Sequence, residues 1–186
     1  MSQVKFLDAL PQLFNKSVQM AFKDCIPDDG WEFSSISNDA NAIKDEEAIF
    51  LTISSHLFRI FISIHFSIDE QCKLFISKSL KDNKGELTLD TINDYLCELG
   101  NSVCGGLKRE LGKSIPALGM STPNILEKGC FAYMSSLQIE DEKTILVKYN
   151  STPLFTANYY FSKHGDLDFE VEVLHEDSGG GELEFF

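Results

Sequence analysis

The chain has 186 residues, 43% of them apolar, with 29 acidic against 16 basic side chains and a net charge of −13. That length suits one domain with a substantial core, and that composition is globular rather than disordered. Arg59 and Arg109 are the only arginines and no basic patch stands out, so nucleic-acid phosphates and anionic membrane surfaces are set aside as partners.

Residues 1–6 lack the apolar stretch of a signal peptide. The longest apolar run, 57–66, is broken by Arg59, Ser63 and His65 and is too short to span a bilayer. Five cysteines (25, 72, 97, 104 and 130) are scattered without a C-x-x-C pair, which reads as reduced thiols in a cytoplasmic protein. The four histidines make no ligand cluster with them, so no metal site is expected.

In chain order, apolar residues at 7, 10, 14, 18 and 22 predict a helix, with Asp8 as its N-cap. A turn at 27–30 precedes strands at about 31–37, 48–55 and 57–67. The last alternates Phe58, Ile60, Ile62, Ile64 and Phe66 against a side that is polar except at Phe61. Ser67 and Glu70 have capping-box spacing for a short helix ending near Leu80, and 81–86 is a polar loop. A long helix at 89–111 ends in a segment rich in Pro, Gly, Ser and Thr, 112–124. Strands follow at about 129–139, 144–150, 153–162 and 167–174. The acidic, Gly-rich stretch 175–186 reads as a flexible tail.

The order repeats as helix then strands, twice. Asp8-Ala-Leu-Pro-Gln12-Leu-Phe-Asn15 lines up with Asp94-Tyr-Leu-Cys-Glu98-Leu-Gly-Asn101 as D-x-L-x-[Q/E]-L-x-N. Two similar halves result, about 1–80 and 87–174, within one domain spanning 1–174.

The second of these helices has the sharpest division of faces. At about 100° per residue, Glu98, Asn101, Gly105 and Lys108 fall within roughly 40° of Asp94. Ile92, Tyr95, Leu96, Leu99, Val103 and Leu107 take the opposite side. Such a stripe is either a solvated surface or a place where something docks. Docking is favoured by the scarcity of Lys/Glu pairs and by Gly105, a poor helix former, beside Asn101. Gly100 and Gly106 flank the apolar side, where close packing would explain them.

Asp94-x-x-x-Glu98-x-x-Asn101, followed by Pro123, resembles the signature of the CheC/CheX/FliY phosphatases of bacterial chemotaxis. The run from Glu98 to Lys108 is most similar to the CheX branch. The resemblance implies an α+β, two-layer fold: two pseudo-symmetric halves forming one mostly antiparallel sheet, with two long helices packed on one face. It implies a protein aspartyl-phosphate phosphatase acting on a CheY-type response regulator. Glu98 would dock against a lysine of the regulator and Asn101 would position the attacking water. Asp94, Gly105 and Lys108 would border the partner, and Pro123 would shape the adjoining loop. The protein would have no cofactor of its own, the Mg²⁺ coming with the phosphorylated receiver domain. Gln12 and Asn15 would be a degenerate second site, because Gln12 replaces Glu and Phe14 stands where the second copy has Gly100. Homodimerisation is also implied, with strand 153–162 as a possible apolar edge. The alternative is a non-catalytic adaptor that binds a receiver domain or sister subunit through the same face.

Overall fold

A computed structural model describes residues 2–37, 47–81, 87–167 and 170–173, so the tail at 175–186 and the loop after Lys81 fall outside the described residues. The elements are β1 (Ser2–Lys5), α1 (Phe6–Cys25), β2 (Trp31–Ile36), β3 (Glu47–Ser54), β4 (Phe58–Phe66), α2 (Glu70–Leu80) and α3 (Leu89–Leu111). There follow β5 (Gly119–Met120), β6 (Asn124–Glu127), a 3-10 helix (Lys128–Leu137), β7 (Asp141–Tyr149), β8 (Thr152–Lys163) and β9 (Glu170–Val173).

Seven strands form one antiparallel sheet in the order β2-β7-β8-β4-β3-β5, with β6 also on β3. Apart from the two-residue β5, exchanging β2 with β6, β3 with β7 and β4 with β8 leaves the pairing scheme unchanged. The β3–β4 hairpin becomes the β7–β8 hairpin, β2 on β7 becomes β6 on β3, and the central β4–β8 pair maps onto itself. The expected two-half sheet is therefore present. Each half places one strand, β2 or β6, beside the hairpin of the other.

Helices α1 and α3 pack against each other on one face of this sheet. Leu10, Leu13, Phe14 and Val18 from α1 and Leu96, Leu99, Val103 and Leu107 from α3 join Ile49, Leu51, Ile60, Ile62 and Phe155 in one core. The apolar spacing of both helices is thus spent on the sheet, as amphipathic helices require.

Several local expectations are corrected. Helix α1 starts at Phe6 straight out of β1, with Lys5 as a cap lacking a side-chain bond, so Asp8 lies in the first turn instead of capping it. The cap of α2 is Asp69, whose carboxylate accepts from the Cys72 amide at 2.9 Å, not Ser67. Strand β8, proposed as an edge at 153–162, is paired on both sides by β4 and β7 and offers no edge. Strand β9 pairs with β1 in a separate two-stranded sheet. The segment 112–124 contributes β5 and the residues leading into β6.

The expected strand at 129–139 is the 3-10 helix. Phe131 and Tyr133 alternate as a strand would, but Phe131, Met134 and Leu137 also repeat every third residue, the period of a 3-10 turn. The contact that settles it is tertiary: the Phe131 ring lies 4.6 Å from the His65 ring and 6.0 Å from that of Phe50. This helix shields the sheet face opposite α1 and α3. Phe61, the interruption on the polar side of β4, is buried there and stacks on Phe50 at 5.9 Å. Ser63, His65, Thr156 and Asn158 are buried on the same face. The Ser63 hydroxyl is 3.0 Å from His65 Nε2, and the Asn158 amide donates to the Tyr160 hydroxyl at 2.9 Å.

Burial of His65, reinforced by the charge of Lys128, pushes its imidazole pKa down to about 4. In the unfolded chain the ring protonates near pH 6.5. Protonation therefore favours unfolding. The neutral ring's contribution is intact above about pH 6.5 and is lost as pH falls toward 4, amounting to about 3 kcal/mol. Denaturant unfolding at pH 7 and pH 4 should show wild type losing that much more stability than His65→Gln. Equal losses in both proteins would show that His65 titrates freely.

Candidate functional site

Helix α3 begins at Thr88, whose hydroxyl accepts from the Thr91 amide at 3.2 Å. Asp90 in the first turn and Lys108 and Arg109 in the last turn suit the helix dipole. The helix ends at Gly112, whose amide returns to the Lys108 carbonyl at 2.8 Å.

The stripe emerges as the periodicity predicts. Asp94 and Glu98 are exposed, while Asn101, Gly105 and Lys108 are half-buried at its centre and far end. Asn101 Nδ2 donates to Glu98 Oε1 at 3.3 Å. At that length the bond is weak. It still fixes a direction: with its NH₂ turned to Glu98, the carboxamide keeps its oxygen available as an acceptor.

The glycines divide by role. A Cβ on Gly100 would stand 2.6 Å from Ile49 Cγ2 and 3.0 Å from Leu51 Cδ1, so α3 lies directly on β3 one residue before Asn101. A Cβ on Gly106 would meet Ser17 of α1 at 3.4 Å, an ordinary contact at the helix crossing. A Cβ on Gly105 would meet nothing within 4 Å. The protein's own packing does not require glycine there. Gly105→Ala should therefore stabilise the fold by about 1 kcal/mol through helix propensity alone, read from the denaturation midpoint; destabilisation would reveal an unseen steric demand.

Pro123 is half-buried immediately before β6. Strand β6 pairs Ile125 with Ile49, the residue beneath Gly100, so the loop carrying Pro123 runs beside the middle of α3. Just ahead of it, the Ser121 amide donates to the Thr52 carbonyl and the Ser121 hydroxyl accepts from the Thr52 amide, both at 3.0 Å. These bonds tie the loop to β3.

The first copy repeats the exposure pattern. Gln12 is exposed and Asn15 half-buried, matching Glu98 and Asn101, but they sit on α1 and belong to a separate stripe. Phe14, in place of Gly100, is buried and meets Tyr159 edge-on at 5.1 Å. A ring therefore separates α1 from the sheet where α3 touches it closely.

Cys97 and Cys104 flank the stripe. Burial raises the Cys97 pKa, with Asp94 and Glu98 adding to the shift, and burial pushes Cys104 up to about 12. Both remain thiols at neutral pH, which argues against either as a nucleophile. Among the described residues no group of three His, Cys, Asp or Glu could hold a metal ion, and no helix is long and apolar enough to cross a membrane.

A groove of about 150 Å³ between the helices was not foreseen from sequence. Ser17 and Ala21 of α1 line it with Ser102, Gly106 and Arg109 of α3. The small residues at 17, 21 and 106 were the visible signal, but they become a groove only once the two helices are known to cross there.

Residues 58–140 match the family model described as chemotaxis phosphatase CheX. No curated protein matches the chain. Among solved structures, the chain is similar to a CheX from Borrelia burgdorferi in a CheX-CheY-BeF3-Mg complex. The TM-score is 0.62 at 11% identity, over 82% of this chain and 97% of that one. A CheC-like superfamily protein from Shewanella sp. PV-4 gives 0.58 at 16% identity, over 82% and 97%. The chemotaxis protein CheX from Vibrio vulnificus gives 0.56 at 14% identity, over 80% and 96%. At these identities the structural likeness establishes the fold.

Proposed function

We propose, for a chain that is CheX-like in sequence over residues 58–140 and in fold over most of its length, that it dephosphorylates the aspartyl phosphate of a CheY-type response regulator. The observation that carries this reading is the Glu98–Asn101 pair on the exposed stripe of α3, inside the stretch that matches the family model.

The chemistry asks little covalent help of the protein. Water attacks phosphorus, the bond from phosphorus to the aspartyl oxygen breaks, and the aspartate leaves as its carboxylate with inorganic phosphate released. An acyl phosphate is already reactive, so the gain comes from holding water in line with the breaking bond. Asn101 is suited to this because one planar group offers a donor and an acceptor, although it has no pKa that would make it a base. Glu98 docks against a cationic side chain of the regulator and orients the Asn101 carboxamide through the bond described above. Asp94 and Lys108 border the contact, and Gly105 leaves room for the partner to approach. Magnesium belongs to the receiver domain, where it neutralises charge on the phosphoryl group.

The test is to add the chain to receiver domains carrying radiolabelled aspartyl phosphate and follow phosphate release. Acceleration of at least one regulator is expected. Binding without acceleration would identify an adaptor instead.

A further inference from the structure

The chemistry at Asn101 makes no use of the groove between α1 and α3, yet the groove opens beside it. Ser102 and Arg109 lie roughly 80–100° round α3 from Asn101, and Gly106 roughly 140° round and about 7.5 Å along the axis. All three line the groove. The stripe and the groove are therefore adjoining parts of one surface.

The groove has an apolar floor. Ser17 and Ala21 of α1 are buried there, and Gly106 of α3 completes it. The Ser17 hydroxyl donates to the Leu13 carbonyl at 2.8 Å, so it needs no partner from outside. Met20, 50% exposed, stands on the rim, where its flexible thioether can fold over an occupant. The rest of the rim is polar, but its charges balance. Lys113 pairs with Glu110 at 2.6 Å, and Arg109 on α3 offsets Asp24 on α1. An apolar floor inside a neutral polar rim is the anatomy of a pocket for an interface anchor. Its volume of about 150 Å³ is that of a cavity which accommodates one benzene ring.

We propose that this groove selects the regulator by taking one apolar side chain, of leucine or phenylalanine size, from the receiver-domain surface beside the phosphoaspartate. The inference rests on the phosphatase reading, which brings that surface onto Asn101. A body that covers Asn101 also covers a groove little more than one helical turn away. Charge narrows the chemistry of what enters. A lone carboxylate or ammonium would upset the balance on the rim and give up its hydration. An apolar side chain gives up nothing of the kind and gains by leaving water. The groove contributes affinity and choice of partner, while the rate of hydrolysis stays with Asn101.

The test uses the full chain and a receiver domain whose phosphate release it accelerates, held in its activated form with beryllofluoride for binding. Met20→Asp, at an exposed site that leaves the core intact, should raise Kd about 10-fold with the circular dichroism spectrum unchanged. The single-turnover rate should shift in its dependence on regulator concentration but not in its plateau. Met20→Leu should bind like wild type. A benzophenone side chain in place of Met20 should crosslink to an apolar residue of the regulator. Truncating that residue to alanine should weaken binding to wild type but weaken Met20→Asp no further. Unaltered affinity in Met20→Asp, with Glu98→Ala still weakening binding, would overturn the groove and leave the phosphatase reading standing. A chain that accelerates phosphate release from no receiver domain removes the phosphatase reading and the groove's role with it.

Discussion

Asn101→Ala is expected to reduce stimulated phosphate release about 100-fold, a barrier increase of about 2.7 kcal/mol, with regulator binding almost unchanged. Asn101 is half-buried on an exposed stripe, and its side chain is held by the weak bond to Glu98. Truncation would therefore remove the proposed water contact without uncovering core. Glu98→Ala should behave differently, losing both binding and rate, because its carboxylate has two proposed tasks: docking and orienting Asn101. Single-turnover kinetics against regulator concentration separate the two effects. Gln12→Ala and Asn15→Ala should leave both quantities near wild type. Full activity in Asn101→Ala would end the water-positioning mechanism, and a comparable loss at Asn15 would mean that both halves work.

Gly100→Val should destabilise the protein by about 3 kcal/mol, the upper part of the range for overpacking a filled core. The first added carbon alone would stand 2.6 Å from Ile49 Cγ2, and Ile49 and Leu51 are both fully buried, with no room to yield. Relief requires α3 to lift from β3. That moves Asn101, the next residue, relative to the Pro123 loop held by β6. The surviving folded fraction should therefore show a lower rate constant as well as a lower melting temperature. Gly105→Ala, on the same helix with open space around it, is the control for backbone effects. An unchanged melting temperature for Gly100→Val would mean that the helix stands farther from the sheet than described.

What was legible in the sequence was local or periodic. The apolar spacing of α1 and α3, the polar stripe and the alternation of β4 follow from one helix or one strand at a time. The D-x-L-x-[Q/E]-L-x-N repeat extended this to the two halves. What was hidden depended on remote partners. Strands β1, β5 and β6 are too short to display a period and exist because another strand receives them. The 3-10 helix was misread because Phe131 and Tyr133 satisfy a strand pattern, and only the contact with His65 decides otherwise. The same contact turns the supposedly solvated side of β4 into a buried polar layer. At the candidate site, the Glu98–Asn101 pair was readable from spacing, whereas the groove beside Arg109 needed the crossing of two helices to exist.

The exchange of β2 and β6 between the halves orders the folding of the chain. The β3–β4 and β7–β8 hairpins close between neighbours, so they can form early. The edges cannot. Trp31 pairs with Tyr149 and Ile49 with Ile125, so β2 must wait for strands near the far end of the chain. Closing such long loops before any contact rewards them places folding in the slow range, on the order of milliseconds to seconds. A ribosome that has released only the first half has made four strands of which only β3 and β4 are paired, β1 and β2 having their partners in the second half. Neither half can complete its strand pairing without the other.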